Sequence, residues 1–147
     1  MHHQITHPDD ITLSDDQARF DLDRAYGWIS TQSYWGKGIP MARFAKAVEG
    51  SLTVGAYSPD GQMNAMARVV TDRATFAWIC DVFVDEAHRG EGLGKRMMAY
   101  MQHHPDLQGL RRMHLATRDA HSLYAQFGFT PLTGVEKWME IRSLSYA

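Results

Sequence analysis

The segment Arg89-Gly90-Glu91-Gly92-Leu93-Gly94-Lys95 joins an apolar run to an amphipathic one, and its residue types suit anion binding. Glycine has no Cβ, so its main-chain N–H can approach a ligand closely. Unpaired N–H groups at a helix start, together with the positive end of the helix dipole, favour phosphate. Arg89 and Lys95 add positive charge in a chain whose formal net charge is −2. The segment therefore predicts a site for a phosphate or diphosphate group.

The alternatives for this glycine pattern are a turn that binds no ligand, a P-loop and a dinucleotide-binding loop. A tight strand-to-helix turn that binds no ligand would look the same, because short glycine patterns recur by chance. A P-loop needs four residues between its first glycine and the Gly-Lys-Ser/Thr triplet, which this segment lacks. A dinucleotide fingerprint needs Gly-x-Gly-x-x-Gly beside the first strand, with an acidic residue about 20 positions later. Neither nucleotide motif fits the segment.

Two blocks of the sequence together resemble a known superfamily. The run Val84-x-x-x-x-Arg89-Gly90-x-Gly92-Leu93-Gly94 resembles the acetyl-CoA signature (Gln/Arg)-x-x-Gly-x-(Gly/Ala) of the GNAT superfamily of N-acetyltransferases. Residues 120–129 (AHSLYAQFGF) resemble that family's Ala-x-x-Leu-Tyr-x-x-x-Gly-Phe segment, at the expected separation. The family often carries asparagine three residues before this alanine, where Thr117 stands here. A hydroxyl can replace only part of the hydrogen bonding of an amide.

The resemblance implies an acetyl-CoA-dependent N-acetyltransferase that moves an acetyl group to a primary amine by direct attack in a ternary complex. A non-catalytic module that senses acyl-CoA through the same loop is the alternative. The reaction requires no metal. The cofactor-binding residues implied by the resemblance are Phe83, Val84, Arg89, Gly90, Glu91, Gly92, Leu93, Gly94, Lys95, Thr117 and Tyr124.

Two parts of the catalytic apparatus follow from the same resemblance. The strand before the loop splays from its neighbour at a bulge in this family, so main-chain N–H groups of Phe83 and Val84 would stabilise the oxyanion. Tyr124 would protonate the leaving thiolate, since a phenol of pKa ~10 can donate to a thiolate whose conjugate acid has a pKa of ~8.5. The alternative is that Tyr124 packs in the core with Leu123 and Phe127.

Asp81 is the candidate base or anchor for the amine. It interrupts an apolar strand-like run, where a carboxylate is costly unless it faces a cleft or is paired. Family members often carry an acid in this strand. The alternative is a structural carboxylate bonded to Arg68 or Arg118. Alternation places Asp81 on the face of Phe83, with Cys80 on the opposite face as a buried, unreactive thiol.

The acceptor side is expected at the loop between the first two helices, as in the family. Adjacent Tyr34 and Trp35 in this loop would form an aromatic wall for an apolar chain or a cation, or would equally cap the sheet. Trp138, on a late strand, would face the same cleft. With Asp72 and Asp81 these residues would suit a cationic or aromatic amine. Small-molecule amines, free amino acids and peptide or protein termini all remain open as acceptors.

The elements that must carry these residues follow from hydrophobic periodicity. The spacing predicts helices near 22–29, 40–49, 93–104 and 120–127, and strands near 11–14, 52–57, 63–70, 75–84, 113–117 and 138–141. The run 75–84 is so apolar that we expect a central strand covered on both faces. The order βααβββαβαβ predicts a mixed α/β sheet with flanking helices, which matches the fold that the resemblance implies.

Length and composition define the class of protein. A chain of 147 residues predicts one domain, 1–147. The net charge of −2 provides no general attraction for nucleic acid or an anionic membrane. No apolar run of about 18 residues, no signal-peptide core and only one cysteine are present, which favours a cytoplasmic protein that does not bind membranes. The resemblance leaves a homodimer open, because dimers are common among similar proteins.

Overall fold

Residues 2–143 are described by a computed structural model, and their strands form one six-stranded sheet in the order β1-β2-β3-β4-β5-β6. Adjacent strands are antiparallel except β5 and β6, which run parallel. This mixed sheet confirms the predicted α/β class. The strands are β1 Gln4–Thr6, β2 Thr12–Ser14, β3 Leu52–Tyr57, β4 Met63–Thr71, β5 Phe76–Val84 and β6 Arg112–Leu115.

Four α-helices accompany the sheet: α1 Leu22–Gly27, α2 Met41–Glu49, α3 Leu93–His103 and α4 His121–Ala125. The side chain of Asp21 accepts a hydrogen bond from the N–H of Arg24 and so caps α1. The predicted first helix ends earlier than expected, because the chain continues after Gly27 as a π-helical turn, Trp28–Gln32. Three short 3₁₀ helices complete the elements: Glu86–His88, Pro105–Leu107 and Val135–Lys137.

The chain divides into two compact units, Met1–Ala116 and Thr117–Ala147, which we call the sheet unit and the C-terminal unit. The sheet unit holds all six strands and α1 to α3, and the C-terminal unit holds α4. The single domain 1–147 stays a prediction.

Three sequence expectations are corrected by the structure. The strand β1 was missed, because three residues are too few to show a period. The predicted strand 138–141 is wrong within the described residues: Trp138 has extended φ and ψ but joins no sheet, and Met139 and Ile141 are almost fully exposed. The expectation that β5 is covered on both faces is also wrong, because Trp78 is 36% exposed while Ala77 and Ile79 are buried.

Helix α3 is held at both ends in the sheet unit. Near its start, Arg96 forms a two-pronged ion pair with Asp9 of the β1–β2 connection, at 3.0 and 2.7 Å. Just beyond its end, the buried His104 binds Asp15 through Nε2 at 2.6 Å. Five α3 side chains are buried in the core: Leu93, Met97, Met98, Tyr100 and Met101. The position of α3, and with it that of its first turn, is therefore set by packing, by one ion pair and by one hydrogen bond.

Gly55 in β3 allows close packing of a buried ring. A Cβ at this position would lie 2.5 Å from Oη and 2.6 Å from Cζ of Tyr57. The Tyr57 ring is fully buried, and the Arg19 guanidinium lies 4.2 Å from its centroid, so the ring has little freedom to move aside.

We predict that Gly55→Ala lowers the free energy of unfolding by about 1–3 kcal/mol through overpacking, measured by urea denaturation. The matched control is Gly27→Ala, where the backbone is helical and a Cβ would meet nothing within 4 Å. There the same substitution should raise the free energy of unfolding by up to about 1 kcal/mol. Equal effects of the two variants would contradict the prediction.

Candidate active site

Strand β5 contains a β-bulge at Asp81. The pairs Met66/Phe83 and Arg68/Cys80 flank it, so two residues of β5, of which Asp81 is the first, oppose one residue of β4. Asp81 has a φ of 52°, an uncommon conformation for a residue with a Cβ. Since directly opposed residues share a face, Arg68, Cys80 and Phe83 lie on the same side of the sheet.

The Asp81 carboxylate is 8% exposed, and each of its oxygens accepts a hydrogen bond. Trp35 Nε1 donates to Oδ1 at 2.7 Å, and Arg68 Nε donates to Oδ2 at 2.7 Å. Arg68 Nη1 also donates to Ser51 Oγ at 3.1 Å. The ion pair with Arg68, one of the alternatives from the sequence, is therefore formed. The role of Asp81 as base or anchor stays a prediction.

Cys80 does not lie on the face that alternation suggested. Its register opposite Arg68 places it on the same side as that arginine, because the extra residue in the bulge interrupts the alternation. Burial raises the pKa of the Cys80 thiol to about 11. The Arg68 cation lowers this pKa and the Asp81 anion raises it, both by less than burial does. The thiol is therefore protonated at neutral pH, in agreement with an unreactive cysteine.

The loop between the π-helical turn and α2 presents two exposed rings from a fixed backbone. Tyr34 and Trp35 are 47% and 41% exposed and meet edge to face, with centroids 4.9 Å apart. On one side of them, Ser33 Oγ accepts from the N–H of Gly36 at 2.9 Å. On the other side, the main-chain oxygen of Ile39 accepts a hydrogen bond from a tyrosine of α1 at 2.8 Å. Because Trp35 also donates to Asp81, the structure brings these two predicted acceptor residues into contact.

The glycine loop leads into α3 in a conformation that leaves space above its backbone. Gly90 and Gly92 have φ values of 85° and 79°, in the left-handed region, and Gly92 is the N-cap of α3. A Cβ at Gly90, Gly92 or Gly94 would meet nothing within 4 Å. No side chain of the described residues therefore blocks the approach of an anion to these three positions at the helix start, which is a condition for binding a diphosphate there.

The side chains of the loop divide into one buried anchor and several exposed groups. Leu93 is buried and fixes the first turn of α3 against the sheet. Arg89 and Lys95 are exposed, and Arg89 Nε donates to the main-chain oxygen of Val84 at 3.2 Å. Glu91 is also exposed, with Oε2 3.3 Å from a ring nitrogen of His88. Of these predicted cofactor residues, Leu93 and Glu91 could contribute only main-chain groups to an anion.

Phe83 and Val84 lie where β5 has separated from β6. The β5–β6 ladder runs from the pair Phe76/Arg112 to the pair Ile79/Leu115, and β5 then continues to Val84. Beyond Ile79, the described part of β5 pairs with β4 alone. The predicted role of this region in binding the oxyanion stays a prediction.

The buried side chain of Phe83 stacks on an indole ring at 5.6 Å. Its main-chain N–H faces β4, because the N–H of Asp85 donates to the main-chain oxygen of Asn64 in the same register. Of the two predicted residues, Val84 is therefore the one whose N–H points to the side of β5 where the β6 ladder has ended.

A second tryptophan–aspartate pair involves Asp85, the residue that follows β5. Trp28, on the π-helical turn, is buried, stacks on Phe83 and donates from Nε1 to Asp85 Oδ1 at 3.2 Å. The carboxylate of Asp85 also lies 3.5 Å from Arg24 Nη2. This pair resembles the Trp35 and Asp81 pair in chemistry but differs from it in burial.

The predicted residues Thr117, Tyr124 and Trp138 belong to the C-terminal unit and are described within it. Thr117 Oγ1 accepts from the N–H of Ala120 at 3.0 Å, so the hydroxyl takes up a main-chain group just before α4. Tyr124 is half-buried on α4, with its ring centroid 6.1 Å from that of Phe129. Trp138 is exposed and follows the last 3₁₀ helix rather than lying on a strand.

The predicted acceptor residue Asp72 stabilises a turn, and the contact of Ser51 with Arg68 was not predicted. Asp72 caps the β4–β5 turn: Oδ1 accepts from three main-chain N–H groups and Oδ2 from the Thr75 hydroxyl. These bonds, led by the Thr75 hydroxyl, hold the pKa of Asp72 well below its usual value. Ser51, which orients Arg68, was missed because a serine far away in sequence gives no signal of this contact.

Two features are absent from the described part of the chain. Among residues 2–143, no group of three or more His, Cys, Asp or Glu side chains is arranged to hold a metal ion. No helix within the same range has the length and apolar character needed to cross a membrane.

Comparison with known proteins agrees with this geometry. Residues 49–131 match the family model described as an acetyltransferase (GNAT) domain. A solved candidate acetyltransferase of the GNAT family from Xanthomonas campestris pv. campestris is 43% identical, with a TM-score of 0.89 over 91% of this chain and 94% of that one. A curated Gibberella zeae protein, named as a candidate acetyltransferase, is 27% identical over 80% of this chain and 77% of its own length.

A more distant structure shares the fold. A Mycobacterium tuberculosis protein solved in complex with CoA is 22% identical, with a TM-score of 0.64 over 83% of this chain and 76% of that one. The family model spans more than half of the chain, from the end of α2 beyond α4, and includes the bulge and the glycine loop. The chain belongs to the GNAT family of acetyltransferases.

Proposed function

We propose that the protein transfers an acetyl group from acetyl-CoA to a primary amine, with the diphosphate of the CoA bound at the start of α3. The observation that carries this proposal is the open space over Gly90, Gly92 and Gly94 at the N-terminus of a helix of 11 residues. Membership of the GNAT family supports it.

The first turn of α3 would bind the diphosphate mainly through its backbone. The first N–H groups of a helix have no partner four residues earlier, so they are available to an anion. The exposed side chains of Arg89 and Lys95 would add positive charge on either side of the loop. A helix start with glycines thus supplies donors and space, and neither depends on the identity of a side chain.

Acetyl-CoA would supply an activated thioester carbonyl. The residues of the chain would stabilise the oxyanion and protonate the leaving thiolate. The main-chain N–H of Val84, which alternation directs away from β4 and which lies beyond the end of the β6 ladder, would stabilise the oxyanion as the amine attacks. Tyr124 would donate a proton to the departing thiolate. Together with Asp81 on the acceptor side, these groups favour a catalyst over a module that only senses acyl-CoA.

The position Gly94 offers a sharp test of the cofactor site. Unlike Gly92, it lies within α3 outside the left-handed region, and a Cβ there would enter open space. We predict that Gly94→Asp raises the Kd of acetyl-CoA at least tenfold, about 1.4 kcal/mol, because a carboxylate repels the diphosphate. The melting temperature of the free protein should not fall, since an acidic residue suits the first turn of a helix.

Isothermal titration with acetyl-CoA measures the change, and Gly94→Ala is the matched control. Alanine adds the Cβ without the charge, so its Kd should stay much closer to that of the wild type. If Gly94→Asp binds acetyl-CoA as tightly as the wild type, the diphosphate does not lie at this helix start and the proposal fails.

Tyr124 carries a second prediction. Tyr124→Phe should lower kcat at least tenfold with little change in the Kd of acetyl-CoA, because general acids typically contribute about 10²–10⁴-fold. Release of the CoA thiol, followed across a panel of primary amines, gives the rate. Tyr100→Phe is the control: it removes a hydroxyl bonded to the main-chain oxygen of His3 and should keep the wild-type kcat. A wild-type rate in Tyr124→Phe would exclude the acid role.

A further inference from the structure

We propose that the hydrogen bond from Trp35 Nε1 to Asp81 Oδ1, here called the latch, closes the acceptor site and is opened by the cationic nitrogen of an amine on an apolar body. This inference rests on the proposed function and names the class of acceptor. Its physical basis is an exposed ring bonded to a buried carboxylate: Trp35 is about two-fifths exposed, whereas Asp81 is almost wholly buried.

The two oxygens of Asp81 differ in how firmly their partners are held. On Oδ2, Arg68 donates from Nε and is itself oriented by Ser51, so this side of the carboxylate is fixed. On Oδ1, the partner is a single neutral N–H on a ring that stands partly in solvent. Loss of the indole would therefore leave Asp81 in place, with Oδ1 free to accept another donor.

The chemistry of that donor decides which molecules can open the latch. A hydrogen bond from an ammonium to a carboxylate is charge-assisted, and is both shorter and stronger than one from a neutral N–H. A neutral hydroxyl offers no such gain over the indole that it would displace. The latch therefore selects a cation at the position of the amine nitrogen.

Opening the latch requires only side-chain motion. The backbone on either side of the rings is bonded at Ser33 and Ile39, while the rings of Tyr34 and Trp35 are exposed. Exposed side chains change rotamer rapidly compared with backbone rearrangement. A displaced Trp35, next to Tyr34, would still present an aromatic face to the bound cation.

An apolar strip on the same face of the sheet gives the body of the amine a place to lie. Val70 pairs with Trp78 two residues beyond the pair formed by Arg68 and Cys80, so all four share a face. Val70 and Trp78 are exposed, and the ring of His114 on β6 lies 6.3 Å from Trp78.

The charge state of that histidine agrees with an apolar strip. Burial, with a smaller effect from the nearby Arg112 cation, lowers the pKa of His114 and so favours its neutral ring. The acceptor that fits latch and strip together is a primary amine on an aryl or alkyl chain.

The test uses 2-phenylethylamine as the probe and 2-phenylethanol as its neutral isostere. Both are titrated calorimetrically into the full chain without acetyl-CoA, so failure of the cofactor site and failure of the latch give separate readouts. We expect the amine to bind the wild type at least tenfold more tightly than the alcohol.

Two variants then separate the partners of the latch. Trp35→Phe keeps a ring but has no N–H to displace, so it should bind the amine at least threefold more tightly than the wild type. Asp81→Asn keeps an oxygen for the indole but loses the charge, so it should bind amine and alcohol equally. The matched control is Trp28→Phe, which removes the N–H donated to Asp85 and should leave amine affinity unchanged.

The outcomes that overturn the proposal are specific. The latch is wrong if Trp35→Phe binds the amine more weakly than the wild type, because Trp35 is then a wall of the site. It is equally wrong if the wild type binds amine and alcohol alike, or binds neither. Since Trp35→Phe changes an exposed ring, its result stands even if Asp81→Asn fails to fold.

Discussion

The bulge at Asp81 is the constraint on which both sides of the candidate site depend. Without the extra residue, alternation along β5 from Ala77 and Ile79 would direct the Asp81 side chain to the opposite, apolar face. A carboxylate buried there without a partner would cost several kcal/mol. The positive φ instead turns Asp81 towards Arg68 and Trp35. The ladder between β5 and β6 ends just before the same point, so that beyond it β5 pairs with β4 alone within the described residues.

The potential cofactor site is completed by the start of α3, which follows β5 and the glycine loop. The buried Leu93 fixes the first turn, while the ion pair of Arg96 with Asp9 and the hydrogen bond between His104 and Asp15 tie the two ends of the helix to the N-terminal hairpin and to the residue that follows it. The hairpin thus helps to position the helix start. Because the loop above it consists largely of glycine, the open space persists with no side chain that must move aside.

Much of the fold could be predicted from sequence, because apolar periodicity determines β3, β4, β5 and α3 to within a residue or two. The glycine loop was predictable because its proposed function depends on the absence of side chains, and glycines are visible directly in the sequence. The bulge was implied only by family resemblance, since an aspartate gives no signal of positive φ. The strand predicted at 138–141 failed because alternation shows only which side chains could be buried, and Met139 and Ile141 meet no neighbouring strand within residues 2–143.

The two halves of the proposed mechanism rest on different kinds of group, and this allows them to vary separately. The cofactor side uses main-chain N–H groups and space, so substitutions that respect Gly90, Gly92 and Gly94 leave it intact. The acceptor side uses side chains, Trp35 and Asp81 above all. A fold of this kind can therefore keep one acyl donor while changing its amine, since function lies in the site rather than in the fold. On the proposal made above, acceptor specificity in this chain would depend on Trp35, which occupies Oδ1 of Asp81 before the amine arrives.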